Sequence, residues 1–280
     1  MSSQRVLALL SGGGAKAAAH IGALRALTDA GLAPGHIVGT SMGAVMGACF
    51  AAGLAPDEIL ARCERLGAKG IVRSPWAPWG GLWLRSLLRG EPLRAAIAAL
   101  LPVHSFEQLA IPLTVTAVDL DSGSLVRFGA GGESASLIDA LWASCALPVF
   151  YPPVLLGGRR LVDGGLRGVV PFGAATGIVA DLVVAIDVGP GLDEAEAPVA
   201  ASYPALIEAH NHATGVLMAA VTMAELAHWR AEPGRPELLY VRPRVERKAT
   251  FRIDRAREYA DDGYRAAAAV LAGREARARA

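Results

Sequence analysis

A chain of 280 residues that is 53% hydrophobic is long enough to bury one sizeable core. Its 27 basic residues nearly balance 26 acidic ones, so no cationic excess exists to neutralise phosphates, and nucleic acid is excluded as a partner. Three cysteines, Cys49, Cys63 and Cys145, occur without any C-x-x-C spacing, which argues against a disulfide framework or a zinc site and for a reducing compartment. The first apolar run, Val6 to Leu10, is too short for the core of a signal peptide, and the later apolar stretches are too short or too rich in proline to span a bilayer. The expectation is a soluble, cytoplasmic protein.

In chain order, "RVLALL" reads as a fully buried strand and "SGGG" breaks it. A helix follows over "AKAAAHIGALRALTDAG", with Gly31 as its stop. "HIVGT" is a second strand, "MGAVMGACFAAG" a small-residue helix, and "APDEILARCERLG" a third helix with Pro56 in its first turn. Next comes a long connection of no clean period, with room for one short helix, "AKGIVRSPWAPWGGLWLRSLLRGEPL", holding Trp76, Trp79 and Trp83. Two strands, "IPLTVTAVDL" and "GSLVRFG", are joined through the turn signal "DSG". "SASLIDALWASCA" is a helix stopped by Pro148, "GRRLVDGGL" a strand running into a glycine turn, and "ADLVVAIDVG" the plainest buried strand. A polar loop, a long helix over 204–231, the strand "PELLYVRP" and a final helix over 254–273 complete the chain. Strands alternating with helices predict a three-layer α/β/α domain with a largely parallel central sheet. No repeat or linker divides it, so the expectation is one domain over 1–280, with its motifs between about 6 and 188 and a helical and strand completion over 200–275.

Two glycine loops carry the chemistry. The first, Gly12-Gly13-Gly14-Ala15-Lys16-Ala17, also fits a dinucleotide fingerprint, but that reading needs an acid at the end of the second strand, where Gly39-Thr40-Ser41 stands instead. Its alternative is an oxyanion hole, because backbone N–H groups at a helix N-terminus are unpaired. Such donors contribute roughly 3–4 kcal/mol each where negative charge develops in acyl transfer. The second loop, Gly39-Thr40-Ser41-Met42-Gly43, is a G-x-S-x-G between a strand and a helix, the context of a nucleophile elbow. The plain competing reading is a packing turn with Ser41 as a helix cap.

A serine nucleophile needs a proton acceptor. Of the six histidines, His20, His36, His104, His210, His212 and His228, none lies in a glycine-rich loop after a strand. Asp163 does, in "LVDGGL", backed by Gly164 and Gly165. A carboxylate within hydrogen-bond reach of a serine can act as general base. Asp119 and Asp121 read as turn residues, and Asp187, before Val-Gly-Pro, is the main rival.

"GGGAKA", "GTSMG" and "VDGG", in this order, resemble the patatin-like phospholipase family, and specifically its short bacterial members. "LWASCALPVFYPPVLLGGRRLVDGGL" and "ADLVVAIDVG" are similar to the family's segments before and after its Asp-Gly-Gly motif. The resemblance runs from about Val6 to Val188. It implies a Ser-Asp dyad of Ser41 and Asp163, an oxyanion hole from the backbone of Gly12, Gly13 and Gly14, and Lys16 in the basic, anion-binding slot. The implied chemistry is hydrolysis of a lipid acyl ester through an acyl-enzyme, with no metal and no cofactor. Two departures stand out: Ala17 where the loop usually ends in glycine, and Val169-Val170 where a polar residue usually precedes the proline. An acyltransferase or thioesterase with the same dyad, and a non-catalytic lipid-binding regulatory protein, are the alternatives. The tryptophan-rich connector is a candidate for peripheral contact with the inner face of a membrane, or for a satellite core.

Overall fold

The computed structural model describes residues 4–68, 86, 88, 90–191, 205–245 and 253–279. Trp76, Trp79 and Trp83 lie outside the described residues, so the two readings of their connector stay expectations. In chain order the elements are β1 (Val6–Leu10), α1 (Ala18–Asp29), β2 (His36–Thr40), α2 (Met42–Ala51), α3 (Pro56–Ala68), α4 (Gly90–Leu100), β3 (Leu113–Asp119), β4 (Leu125–Gly129), α5 (Leu137–Ser144), β5 (Val154–Leu156), β6 (Arg159–Asp163), α6 (Phe172–Ala175), β7 (Leu182–Ile186), α7 (Ala205–Ala231), β8 (Glu237–Val241) and α8 (Ala256–Arg279). The β5 and α6 elements have no counterpart in the sequence expectation, and α4 extends well past the stretch expected to hold one short helix. Helix α4 starts at the end of the connection read as irregular, and α6 and β5 are only a few residues long.

The sheet is mixed α/β with a mostly parallel centre, as expected. Strands β3, β2, β1, β7 and β8 run parallel, and β4, β5 and β6 complete the β3 end through antiparallel pairings. The continuous apolar runs follow from burial on both faces. Val6, Ala8 and Leu10 of β1 join the core beneath α1, α2, α5 and α8, while Leu7 and Leu9 join the core beneath α6 and α7. The β7 strand divides the same way, with Leu182, Val184 and Ile186 on one face and Val183 and Ala185 on the other. Each fully buried Leu or Val contributes on the order of 1.5–3 kcal/mol, so these strands anchor the domain.

Helix α8 lies against α1 with no space between their backbones. A Cβ on Gly22 would sit 1.8 Å from the carbonyl oxygen of Ala260, and one on Gly263 would sit 1.9 Å from that of Ala19. The three cysteines are free and buried, without a disulfide. Among the described residues no helix is long and apolar enough to cross a membrane.

Candidate active site

Strand β3 brings the two motif residues together. Its residues Thr114–Val118 pair with β4 along one edge. Along the other edge it pairs first with β2, ending at Thr40 opposite Thr116, and then with β6, starting at Asp163 opposite Ala117. The backbone alternation agrees: Pro112 accepts from β2 and Leu120 donates to β6, and even-numbered residues face the same edge. Strands β2 and β6 therefore run toward each other along one edge and end at adjacent positions. The hydroxyls of Thr40 and Thr116, 2.7 Å apart, pin that junction.

At the end of β2 the chain turns sharply into α2. Ser41 takes φ 54° and ψ −134°, a region that costs a non-glycine residue about 1–3 kcal/mol. Its carbonyl accepts the first helical bonds from Ala44 and Val45, but its side chain caps nothing. The hydroxyl instead donates to Asp163 Oδ2 at 2.7 Å. The glycines on either side make the turn possible by close approach. A Cβ on Gly39 would fall 2.5 Å from Ala44 Cα, and one on Gly43 would fall 2.2 Å from the Ser11 carbonyl.

Asp163 is 4% exposed. Its Oδ1 accepts the Gly165 N–H at 2.8 Å, and its own N–H donates to the Ala146 carbonyl at 3.0 Å. Burial raises its carboxyl to about 6, against the opposing pull of the Ser41 hydroxyl and the Gly165 amide. Gly164 is held close to β3, where a Cβ would fall 2.4 Å from Thr116 Oγ1.

The first glycine loop lies beside the serine. A Cβ on Gly12 would be 3.2 Å from Ser41 Cβ. The Gly12 N–H donates to the Val169 carbonyl at 3.0 Å, so it is occupied within the loop's own framework. Among the described residues the N–H groups of Gly13 and Gly14 have no acceptor; they open the 3-10 turn Gly14–Ala17, where the first amides of a helix are unpaired. Gly14 has φ 61°, which favours glycine there. Lys16 is 3% exposed and engaged inside the protein, not extended into solvent. The departure at Val169 has a physical explanation, since the contact to the loop comes from a backbone carbonyl and does not depend on the side chain.

The rival acids and bases are occupied elsewhere. Asp187 accepts from the Gly189 N–H at 2.8 Å, from the Tyr240 hydroxyl at 2.5 Å and from Arg242 at 2.5 Å. Asp119 closes its own turn through the Asp121 N–H and the Ser122 hydroxyl. His20 is buried, holds the Ser11 carbonyl through Nε2 at 2.9 Å, and is pushed down to about 4 by desolvation. His210, His212 and His228 lie exposed on α7. Two neighbours of the serine escaped the sequence reading. Ser144 Oγ accepts the Ser41 N–H at 2.7 Å. The Cys145 thiol, whose titration burial raises well above its ordinary value, sits 4.0 Å from Met42 sulfur. The available signal was a hydroxyl directly after the apolar turn Ala140–Ala143.

The chain is similar in sequence to several known proteins. An uncharacterized NTE family protein of Mycobacterium tuberculosis is 36% identical over 199 residues, covering 69% of this chain and 52% of that one. The rat patatin-like phospholipase domain-containing protein 7 is 29% identical over 201 residues, 68% of this chain and 14% of that one. The chain thus spans about half, or less, of the curated relatives it matches. Among solved structures, VipD from Legionella pneumophila aligns with a TM-score of 0.49 at 15% identity, covering 97% of this chain and 67% of that one. The sequence model described as patatin-like phospholipase matches residues 9–176, which include both glycine loops and the Asp163 turn. With more than half of its length matched in this way, the chain belongs to the patatin-like phospholipase family.

Proposed function

We propose that the protein is a serine acyl-ester hydrolase acting on lipids. The observation that carries this reading is the 2.7 Å bond from Ser41 Oγ to Asp163 Oδ2, made by a serine that occupies a helix-cap position and does not cap. Asp163 takes the proton as Ser41 Oγ attacks the acyl carbonyl. The oxygen of that carbonyl becomes negative and is met by the free N–H groups of Gly13 and Gly14. Collapse of the tetrahedral intermediate expels the alcohol, which recovers the proton from Asp163, and leaves an acyl-Ser41 ester. Water, activated by the same carboxylate, then releases the fatty acid.

A lipid panel assayed with the purified protein and with Ser41→Ala tests the proposal. Turnover should disappear in a folded Ser41→Ala variant, and a fluorophosphonate should label the wild type only. Equal turnover in both would overturn it. Release of acyl product onto an alcohol in preference to water would assign the chain to acyl transfer.

A further inference from the structure

The segment Ser144–Ala146, at the end of α5, touches both members of the Ser41–Asp163 pair through their backbones. Ser144 Oγ accepts the Ser41 N–H at 2.7 Å, and the Ala146 carbonyl accepts the Asp163 N–H at 3.0 Å. Cys145 lies between these two contacts, and Ser144 is fully buried. The Ser41 amide needs this partner. The β1–β2 ladder ends at Gly39 and the β2–β3 ladder at Thr40, so Ser41 lies one residue past its sheet partners. As the cap residue just before α2, it also has no helical acceptor for its N–H. A buried amide without an acceptor is strongly unfavourable, and the left-handed turn would relax to find one.

We propose that Ser144 is a positioning residue for the nucleophile. Its hydroxyl holds the Ser41 N–H, and with the Ala146 carbonyl on Asp163 it fixes the separation of serine and carboxylate. This inference rests on the reading of Ser41 as nucleophile and extends it to a residue that touches neither substrate nor the reacting oxygen. Helix α5 is suited to the task because it is anchored at its far end. There the Ser136 hydroxyl accepts from the Asp139 N–H at 3.1 Å, and the bond caps the helix. Along its length, Ile138, Ala140, Leu141 and Ala143 are buried. A rigid element whose tail contacts both groups transmits little slack, and misplacement of a nucleophile by about 1 Å can lower the rate roughly a hundredfold.

The test uses the full chain with Ser144→Ala and Ser144→Cys. With a p-nitrophenyl ester, kcat should fall tenfold or more in the alanine variant with KM within twofold, and the cysteine variant, whose sulfur accepts weakly, should fall between. The rate of fluorophosphonate labelling should slow in parallel while the number of labelled sites per folded molecule stays constant. Amide-resolved hydrogen exchange should show the Ser41 N–H protected in the wild type and faster in Ser144→Ala. A kcat within twofold of wild type, or a loss explained wholly by fewer active sites, would overturn the proposal and leave a packing role. So would a wild-type Ser41 amide exchanging as fast as a solvent-exposed loop. Should the wild type neither turn over esters nor label, the hydrolase reading fails, and the exchange measurement alone still decides whether Ser144 holds the elbow. Should Ser144→Ala not fold, the cysteine variant carries the comparison.

Discussion

A carboxylate can take a proton from serine only while it is ionised, and it does so better the higher its affinity for that proton. Asp163 meets both demands near neutrality, because burial raises it from 3.8 to about 6. Activity should therefore fall as pH drops through about 6 and level off above it, which a kcat/KM profile on a soluble ester checks. Asp163→Asn should lower the rate on the order of a hundredfold or more, while alanine at His210, His212 or His228 should leave it unchanged. A histidine variant that abolished turnover would replace the dyad by a triad. The same shift affects stability. The folded state binds the Asp163 proton more tightly than the unfolded chain, so its contribution is fully present below about 4 and lost as pH rises through about 6. Asp163→Asn should accordingly raise Tm at pH 8, with the gain shrinking toward pH 4. A constant difference would mean that the carboxyl is not held in a desolvating site.

The elements differ in how much they announce themselves. The runs at Val6–Leu10 and Leu182–Ile186 were legible because burial on both faces leaves no polar position. Ser41 and Asp163 were legible because each stands at a strand end beside glycines, Gly39 and Gly43 for one and Gly164 and Gly165 for the other. The ties between elements left little local signal: the Gly12 N–H on the Val169 carbonyl is backbone to backbone, and Ser144 is one hydroxyl after an apolar turn of its helix. Contacts between distant segments, not composition, set these. The first loop shows the consequence. A Cβ on Gly13 would meet Val188 Cγ2 at 2.7 Å and the Val188 carbonyl at 2.9 Å, so Gly13→Ala must displace the loop from β7's extension. Donors that act mainly in the transition state would then be misplaced, and kcat should fall with little change in KM. An unchanged kcat would show that this loop does not receive the oxyanion. Helix α7 offers a second such tie. Glu225 lies against Gly168, Gly173 and Arg167 with its Oε2 buried and without a hydrogen-bond partner among the described residues, and burial raises it to about 7. Its proton is also held more tightly when folded, so Glu225→Gln should raise Tm at pH 8 more than at pH 5.

The molecule as a whole extends beyond its motifs. The family match ends at residue 176, yet β1, which leads into the first glycine loop, has β7 as one of its two partners, paired from Val6–Leu182 to Leu10–Ile186. Helix α8 then covers α1 and buries Tyr259, Ala260, Ala267 and Leu271 in the core shared with β1 and α2. Surface pairs such as Arg274–Glu237 at 2.8 Å and Arg257–Glu64 at 3.1 Å add little, since exposed ion pairs are worth about 0–1 kcal/mol each. The backbone contact at Gly22 and Gly263 and the burial around it dominate. Gly263→Ala places a methyl group onto the Ala19 carbonyl and must push the helices apart, at a cost of about 1–3 kcal/mol or more. For a domain of this size that lowers Tm by roughly 2–4 °C per kcal/mol. Because α8 does not contribute to the Ser41–Asp163 contact, the rate per titrated active site should stay within about twofold. A chain ended after residue 245 should go further and lose its cooperative thermal transition, with α1 stripped of its cover. If that shortened chain melted as sharply as the full one and kept its rate, the C-terminal helix would be an appendage, and the stretch that carries the motifs would fold on its own.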